Sequence, residues 1–205
     1  VDDTGKPVST GGQCAPGTED CRPSAPELIA GARCTIADKP RFSHRGLMLD
    51  TARNYLSPSA LMRTIDAMAS VKLNVLHWHI SDSQSFPFVS TSFPQLAKTG
   101  SYDFDTMTFA PSAVAAVVEY AHARGVRVMP EFDTPGHAQS WCVGYPEICP
   151  SASCTTPLDV SNNATFALLD RLFAECTGRK ASAKGAPSGL FPDEFLHLGG
   201  DEVGT

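Results

Sequence analysis

Two adjacent carboxylates close to the end of the chain, Asp201 and Glu202, follow Gly199-Gly200 and the apolar run Phe195–Leu198. Neighbouring residues on a strand point to opposite faces, so both can reach one pocket only where the strand turns, and the two glycines supply a backbone that can turn. Ordinary retaining glycosidases place their two carboxyl groups on opposite sides of the sugar, about 5 Å apart. Side-by-side carboxylates suit another scheme, in which the substrate brings its own nucleophile. One carboxyl then protonates the leaving oxygen while its neighbour holds that internal nucleophile. The same pair would equally serve as the acidic start of a helix, stabilised by the dipole. From the pair alone, both readings stand.

His77-x-His79 places two imidazoles on one strand face. That spacing suits a metal ion, although histidines bonded to carboxylates are the commoner outcome. Glu131, Asp133 and His137 could complete either a metal site or a hydrogen-bond network. Arg45 and Arg53 flank an apolar run, and a guanidinium is a good fork for paired sugar hydroxyls as well as an ordinary surface charge. Trp78 points away from its flanking histidines and reads as core, whereas Trp141 could stack on a sugar or pack. No G-x-S-x-G occurs and no cysteine has a catalytic setting, which weakens serine and cysteine hydrolase readings.

These residues must be held by something, and the chain alternates strand and helix signals from Pro40 onward. Gly46–Asp50 is a short apolar run ending in a carboxylate. Ser57-Pro58 gives a cap and a first-turn proline, with Leu61, Ile65 and Met68 along one helical face. Leu73–Ile80 reads as a buried strand; after a long loop, Pro111 opens a helix with Val114, Val117, Val118 and Ala121 inward, closed by Gly125. Val126–Met129 is a third strand, where Pro130 warns of a bulge or an early end. Ser161 is expected to cap a helix carrying Phe166, Leu169, Leu172 and Phe173, before a fourth strand at Phe195–Leu198. The order predicts a parallel α/β sheet. No glycine-rich phosphate loop follows the first strand, and ionisable groups stand at every strand end: Asp50 and Arg53, His79 and Asp82, Glu131 with Asp133 and His137, Asp201 and Glu202. Such ends converge at the mouth of a (β/α)8 TIM barrel, so a partial barrel with glycoside chemistry at its mouth is favoured over a doubly wound sheet.

The 205 residues are 42% hydrophobic and 19% charged, enough for a sizeable core and too apolar for a disordered chain. Sixteen Lys+Arg against twenty-two Asp+Glu, with no block of one sign, exclude a basic nucleic-acid or membrane-surface face. No run approaches the roughly 18 apolar residues of a membrane span. Residues 1–40 form an irregular, cysteine-containing leader without periodicity, and 41–205 carry the catalytic signals. Val1 opens no charged-then-apolar leader, so a signal peptide is expected to be removed or outside the sequence. Seven cysteines in two loop-like clusters, none spaced C-x-x-C, favour disulfides over structural zinc and leave one thiol over. Asn163-Ala164-Thr165 is a glycosylation acceptor, compatible with an oxidising compartment without proving it.

The runs RFSHRGLMLDTARNYL, KLNVLHWHISDSQSFPF, ARGVRVMPEFDTPGH and LHLGGDEV closely resemble the β-N-acetylhexosaminidases of glycoside hydrolase family twenty, eukaryotic lysosomal and secreted branch, over about residues 40–205. The resemblance implies a retaining exo-enzyme that removes terminal N-acetylglucosamine or N-acetylgalactosamine from glycoconjugates or chitin fragments, without metal or other cofactor. It assigns Glu202 as general acid/base and Asp201 as the group that orients the 2-acetamido nucleophile. Arg53, Asp82 and His137 become substrate-binding residues, supported by His79 and Asp133. Family twenty stands outside the two-carboxylate scheme, in line with the reading of the adjacent pair.

Ser83 departs from the family, whose members usually place a second aspartate after Asp82, and residues 1–40 do not resemble its usual amino-terminal domain. Four βα steps end at Thr205, where a whole barrel takes about 250 residues. The expectation is therefore the first four steps of a barrel, with a carboxyl-terminal half as partner and N-acetylhexosamine-terminated glycans as substrates. Dimerisation of the intact protein stays open, and the resemblance implies a lysosomal or secreted location. Two competitors are a metal-dependent hydrolase using His77 and His79, and a sugar-binding fragment that keeps Arg53 and Asp82 without turnover.

Overall fold

The computed structural model describes residues 37–153, 156–178 and 189–203. The chain separates into Val1–Pro40 and Arg41–Thr205, and the architecture below is that of the second unit. The leader expected over residues 1–40, with Cys14, Cys21 and Cys34, falls almost wholly outside the described residues, as does Cys154.

The elements run β1 (Gly46–Asp50), α1 (Pro58–Ser70), β2 (Val75–Ser81), α2 (Pro94–Gly100), α3 (Pro111–His122), β3 (Arg127–Phe132), α4 (Gln139–Gly144), a 3-10 turn at Pro146–Ile148, and α5 (Asn163–Thr177). The sheet is parallel, in the order β1-β2-β3. The start of α1 follows the expected chemistry: the Ser57 hydroxyl accepts the Ala60 N–H and Pro58 occupies the first turn, where a missing N–H costs nothing. Leu61, Ile65 and Met68 are buried on α1, and Val114, Val117, Val118 and Ala121 on α3. These faces pack against the outward-facing rows of the sheet, where Leu76, Trp78, Ile80 and Val128 lie. Trp78 is core as expected; its indole N–H reaches Thr51 Oγ1 at 2.9 Å and its ring meets Phe109 edge-on at 5.0 Å.

Of the two readings left open for Trp141, packing holds: it is fully buried and edge-on to Phe86 at 4.9 Å. Two expectations need correction. The cap of α5 is Asn162 in place of Ser161, and its buried face is Thr165, Leu168, Leu172 and Cys176, with Phe166 54% exposed. Thr165 can be buried because its hydroxyl donates to the Asp159 carbonyl at 2.8 Å. The fourth strand reduces to one parallel bridge, Glu131 with His197. There His197 N–H donates to Pro130 O and Phe132 N–H to His197 O, at 3.0 and 3.1 Å. The next rung would need an N–H from Pro130, which has none, and Phe195 N–H turns to Asp193 Oδ1 instead. Pro130 thus leaves β3 intact on the β2 side and ends the ladder on the other.

Candidate active site

The register places Asp50, His79 and Glu131 side by side across the carboxyl ends of the three strands, and Met48, His77 and Met129 one layer below. Between His79 and Ser81 the pairing slips, Ile80 being extra against β3. A bulge of this kind re-aims the residues after it. Here it delivers Asp82, which is completely buried, to the carboxyl ends of the strands.

Asp82 gathers four donors. Oδ1 accepts Ser83 N–H at 2.6 Å and lies 3.3 Å from His137 Nδ1; Oδ2 lies 2.9 Å from His79 Nε2 and 2.8 Å from an Arg53 guanidinium nitrogen. Arg53 is placed by Asp50, which accepts the Ala52 and Arg53 backbone N–H groups and the Arg53 side chain at 3.0, 2.9 and 3.0 Å. Arg53 therefore bridges two strand ends while 42% of its side chain faces solvent.

Beneath this, Glu131 lies 2.5 Å from His77 Nε2, 2.9 Å from His79 Nδ1 and 3.2 Å from His197 Nδ1. His79 thus uses both ring nitrogens on carboxylates. Burial opposes its charge, but hydrogen bonds to Glu131 and Asp82 outweigh that and raise its pKa to about 9. Burial likewise works against the Glu131 carboxylate, and the bonds from His77 and His79 with the charges of His79 and His197 hold it well below its usual range. His79, Asp82 and Asp133 offer donor atoms within 4.8 Å of one another, but both His79 nitrogens already face carboxylates. His77, Glu131 and His197 do offer donor atoms within 4.8 Å of one another, but Glu131 already engages both histidines.

The turn after β3 and the segment after His197 meet at Asp133. Its Oδ1 accepts Gly200 N–H at 3.0 Å, and a Cβ on Gly199 would overlap its carboxylate. Burial raises the Asp133 pKa, the Gly200 N–H works against that, and the charge of Asp201 adds to the rise. Gly199 and Gly200 have φ of 64° and 99°, and Glu202 itself sits at 50°. The expected turn at the paired carboxylates is present. Glu202 Oε2 lies 3.3 Å from His137 Nε2 without hydrogen-bond alignment, and 78% of the Glu202 side chain is exposed. Asp201, also exposed, keeps company with Asp133 and His137, their donor atoms within 4.8 Å.

All seven residues singled out for the site are thus brought to one edge of the sheet. Arg45 is not among them: its guanidinium binds the Lys72, Phe42 and Ser43 carbonyls at the opposite end of the strands. Sequence reasoning left Ser140 unread. Its hydroxyl donates to the Asp82 carbonyl at 2.6 Å, and α4 holds it there by packing on Gly100, where a Cβ would come within 2.6 Å of the Ser140 carbonyl. A disulfide, Cys142–Cys149, ties α4 to the following 3-10 turn. His197 was also missed as a partner of Glu131, although it follows the same two-residue period as the inward histidines. A separate cleft of about 520 Å³ lies between α5 and residues 192–196, floored by Phe173 and Phe195 and without a basic group in its lining.

A family model described as glycosyl hydrolase family 20, catalytic domain, matches residues 42–205. The beta-hexosaminidase subunit beta of Mus musculus is 47% identical over 176 residues, which are 82% of this chain and 31% of that protein. Beta-hexosaminidase 1 of Arabidopsis thaliana is 45% identical over 170 residues, 83% of this chain and 29% of that protein. Among solved structures, a chitobiase of Flavobacterium johnsoniae superposes with a TM-score of 0.69 at 35% identity, over 80% of this chain and 24% of its own. A mutant Streptomyces plicatus beta-hexosaminidase in complex with its product GlcNAc gives 0.69 at 29% identity, over 81% and 34%. The chain spans about a third of the length of the curated relatives it matches.

Proposed function

The chain belongs to glycosyl hydrolase family 20, and from that membership we propose that it supplies part of the active site of a retaining exo-β-N-acetylhexosaminidase. The substrates in this reading are glycoconjugates or chitin oligomers that end in N-acetylglucosamine or N-acetylgalactosamine. One observation carries it: an unbroken succession of acids and bases runs from Glu202 through His137, Asp82 and His79 to Glu131, with Arg53 joined at Asp82. Such a network orients its members and carries the two outermost, Arg53 and Glu202, toward the same end of the sheet.

In this mechanism Arg53 grips hydroxyls of the terminal sugar, with Asp82 and His137 fixing the floor beneath it. Asp201 orients the 2-acetamido group, whose carbonyl oxygen attacks the anomeric carbon. Glu202 protonates the departing glycosidic oxygen, and the intermediate is an oxazolinium in place of an ester on the protein. Glu202 then takes a proton from the water that opens the ring. Asp133 and His79 position their neighbours. Metal-dependent hydrolysis is less well supported, because His79 has committed both nitrogens to carboxylates.

The three strands and the 195–198 segment are read as the first four steps of a (β/α)8 barrel, whose carboxyl-terminal half is the partner. Support comes from the share of the relatives that is matched and from β1, where Leu47 and Met48 are exposed. A lysosomal or secreted location is supported by the Cys142–Cys149 disulfide. Among the described residues no helix is long and apolar enough to cross a membrane.

The test is hydrolysis of a chromogenic N-acetyl-β-glucosaminide by the chain alone and after addition of a carboxyl-terminal half. Negligible rate alone and clear rate on complementation are expected, with Glu202→Gln lowering kcat by about 10²–10⁴. Full activity of the 205 residues alone would refute the half-barrel reading. An undiminished rate in Asp201→Asn would reject acetamide assistance. Sugar binding without turnover after complementation would leave only the binding-fragment reading.

A further inference from the structure

Asp82 lies just past the last pair of the β2–β3 ladder, Ser81 with Phe132, so its main chain must find partners outside the sheet. Its N–H donates to the Ser85 carbonyl at 3.0 Å, a bond within its own loop. Its carbonyl accepts the Ser140 hydroxyl at 2.6 Å, a bond that reaches across to the loop after β3. Both residues are buried, so water does not compete for that carbonyl. His137, three residues before Ser140, meets the same aspartate at its carboxylate, 3.3 Å from Oδ1. The two loops are therefore joined twice through Asp82, once by its side chain and once by its main chain. Two glycines bring Ser140 within reach. A Cβ on Gly100 of α2 would stand 2.6 Å from the Ser140 carbonyl, and one on Gly144 of α4 would stand 2.7 Å from the Gln95 carbonyl. Each helix thus presents a glycine to the backbone of the other, and neither contact uses the Ser140 hydroxyl.

We infer that Ser140 is a positioning residue for the sugar site. Through the Asp82 carbonyl it fixes the loop after β2 against the loop after β3, and so sets where Arg53 and His137 stand relative to one another. The inference rests on the reading of Arg53, Asp82 and His137 as the groups that hold the terminal sugar. One carboxylate serves both partners, Arg53 at 2.8 Å and His137 at 3.3 Å, so any shift of its main chain moves both. Removing the hydroxyl leaves a buried carbonyl without that donor, and the main chain relaxes toward whatever donor it can reach. The His137 contact, already at the long end of hydrogen-bond range, is the first to open. Packing of α4 on α2 survives the change, because it depends on the glycines.

The test has a kinetic arm and a spectroscopic arm. In the complemented enzyme, Ser140→Ala should lower kcat/KM for a chromogenic N-acetyl-β-glucosaminide by about ten- to hundredfold, mostly through a higher KM. Ser140→Cys keeps a side chain of similar size with a weaker donor and should fall between parent and alanine; it also carries the test where the alanine variant does not fold. A merely structural residue would reduce the folded fraction and hence the apparent kcat, with KM at the parent value, and that result overturns the inference. Independently of sugar chemistry, the His137 imidazole resonances, assigned with His137→Gln, should move in Ser140→Ala. Those of His122, at the far end of α3, should stay where they are. Unmoved His137 resonances overturn the positioning role even if activity falls. Should the complemented parent hydrolyse no N-acetylglucosaminide, the sugar reading itself fails, and the His137 resonances alone decide whether Ser140 holds the two loops in place.

Discussion

Glu131→Gln removes one charge from the floor of the site and leaves its shape. Glu131 is buried and faces three imidazoles, and glutamine would turn an N–H toward at least one of them. The raised His79 value, about 9 against 6.5, corresponds at about 1.4 kcal/mol per unit to ~3 kcal/mol shared between Glu131 and Asp82. Screening at an open mouth reduces the Glu131 share to about 1–2 kcal/mol. With the lost hydrogen bond from His77, the total cost near pH 6 is about 3 kcal/mol. The sign follows from linkage. His79 is raised, so its contribution is whole below about 6.5 and fades as pH rises through about 9. Glu131 is depressed, so its contribution is whole above about 4.5 and is lost only as pH falls through its lower folded value. Both are at full strength only between those limits. Urea unfolding of parent and variant at pH 6 and pH 9.5 measures this, with imidazole NMR reporting the His79 titration. The difference between the two proteins should shrink at the higher pH by the Glu131 share. Equal destabilisation at both pH values, or a parent His79 titrating near 6.5, would refute the reasoning.

Replacing Cys142 and Cys149 by serine opens a loop with a sequence separation of 7, and chain entropy sets the loss at about 2–3 kcal/mol. It should appear as a lower Tm matched by adding reductant to the parent, and an unchanged Tm would mean that packing alone holds α4. Arg53→Lys keeps a charge but cannot bridge Asp50 and Asp82 while presenting a fork. In the complemented enzyme it should raise KM about tenfold, some 1.4 kcal/mol, with a smaller change in kcat; an unaltered KM would remove Arg53 from the sugar site.

What could be read from residues and what could not divide along physical lines. α1 and α3 were legible because each opens on proline and carries an apolar face that matches its period. Pro94 offered the same signal for α2, but a seven-residue helix shows too little of a period to stand out from a loop. α4 has no side-chain cap at all and exists because α2 lets it approach. The inward face of α5 slipped at Thr165, whose burial depends on a carbonyl, Asp159, that no periodicity reveals. Strand ends marked the residues that the fold brings together. Their pairing into one network depended on register and on the slip at Ile80, and these are properties of two strands together.

Gly199 and Asp133 share a volume: where the glycine would carry a methyl group, the carboxylate already stands. The two positions are therefore not independent in sequence space. Alanine at 199 is tolerable only if 133 shrinks, and a larger acid at 133 only if 199 stays bare. Their effects should be strongly non-additive in a double-mutant cycle, unlike those of residues that merely touch. A designer who wants to move the Asp201–Glu202 turn must therefore treat a loop after one strand and a loop after another as a single inherited unit.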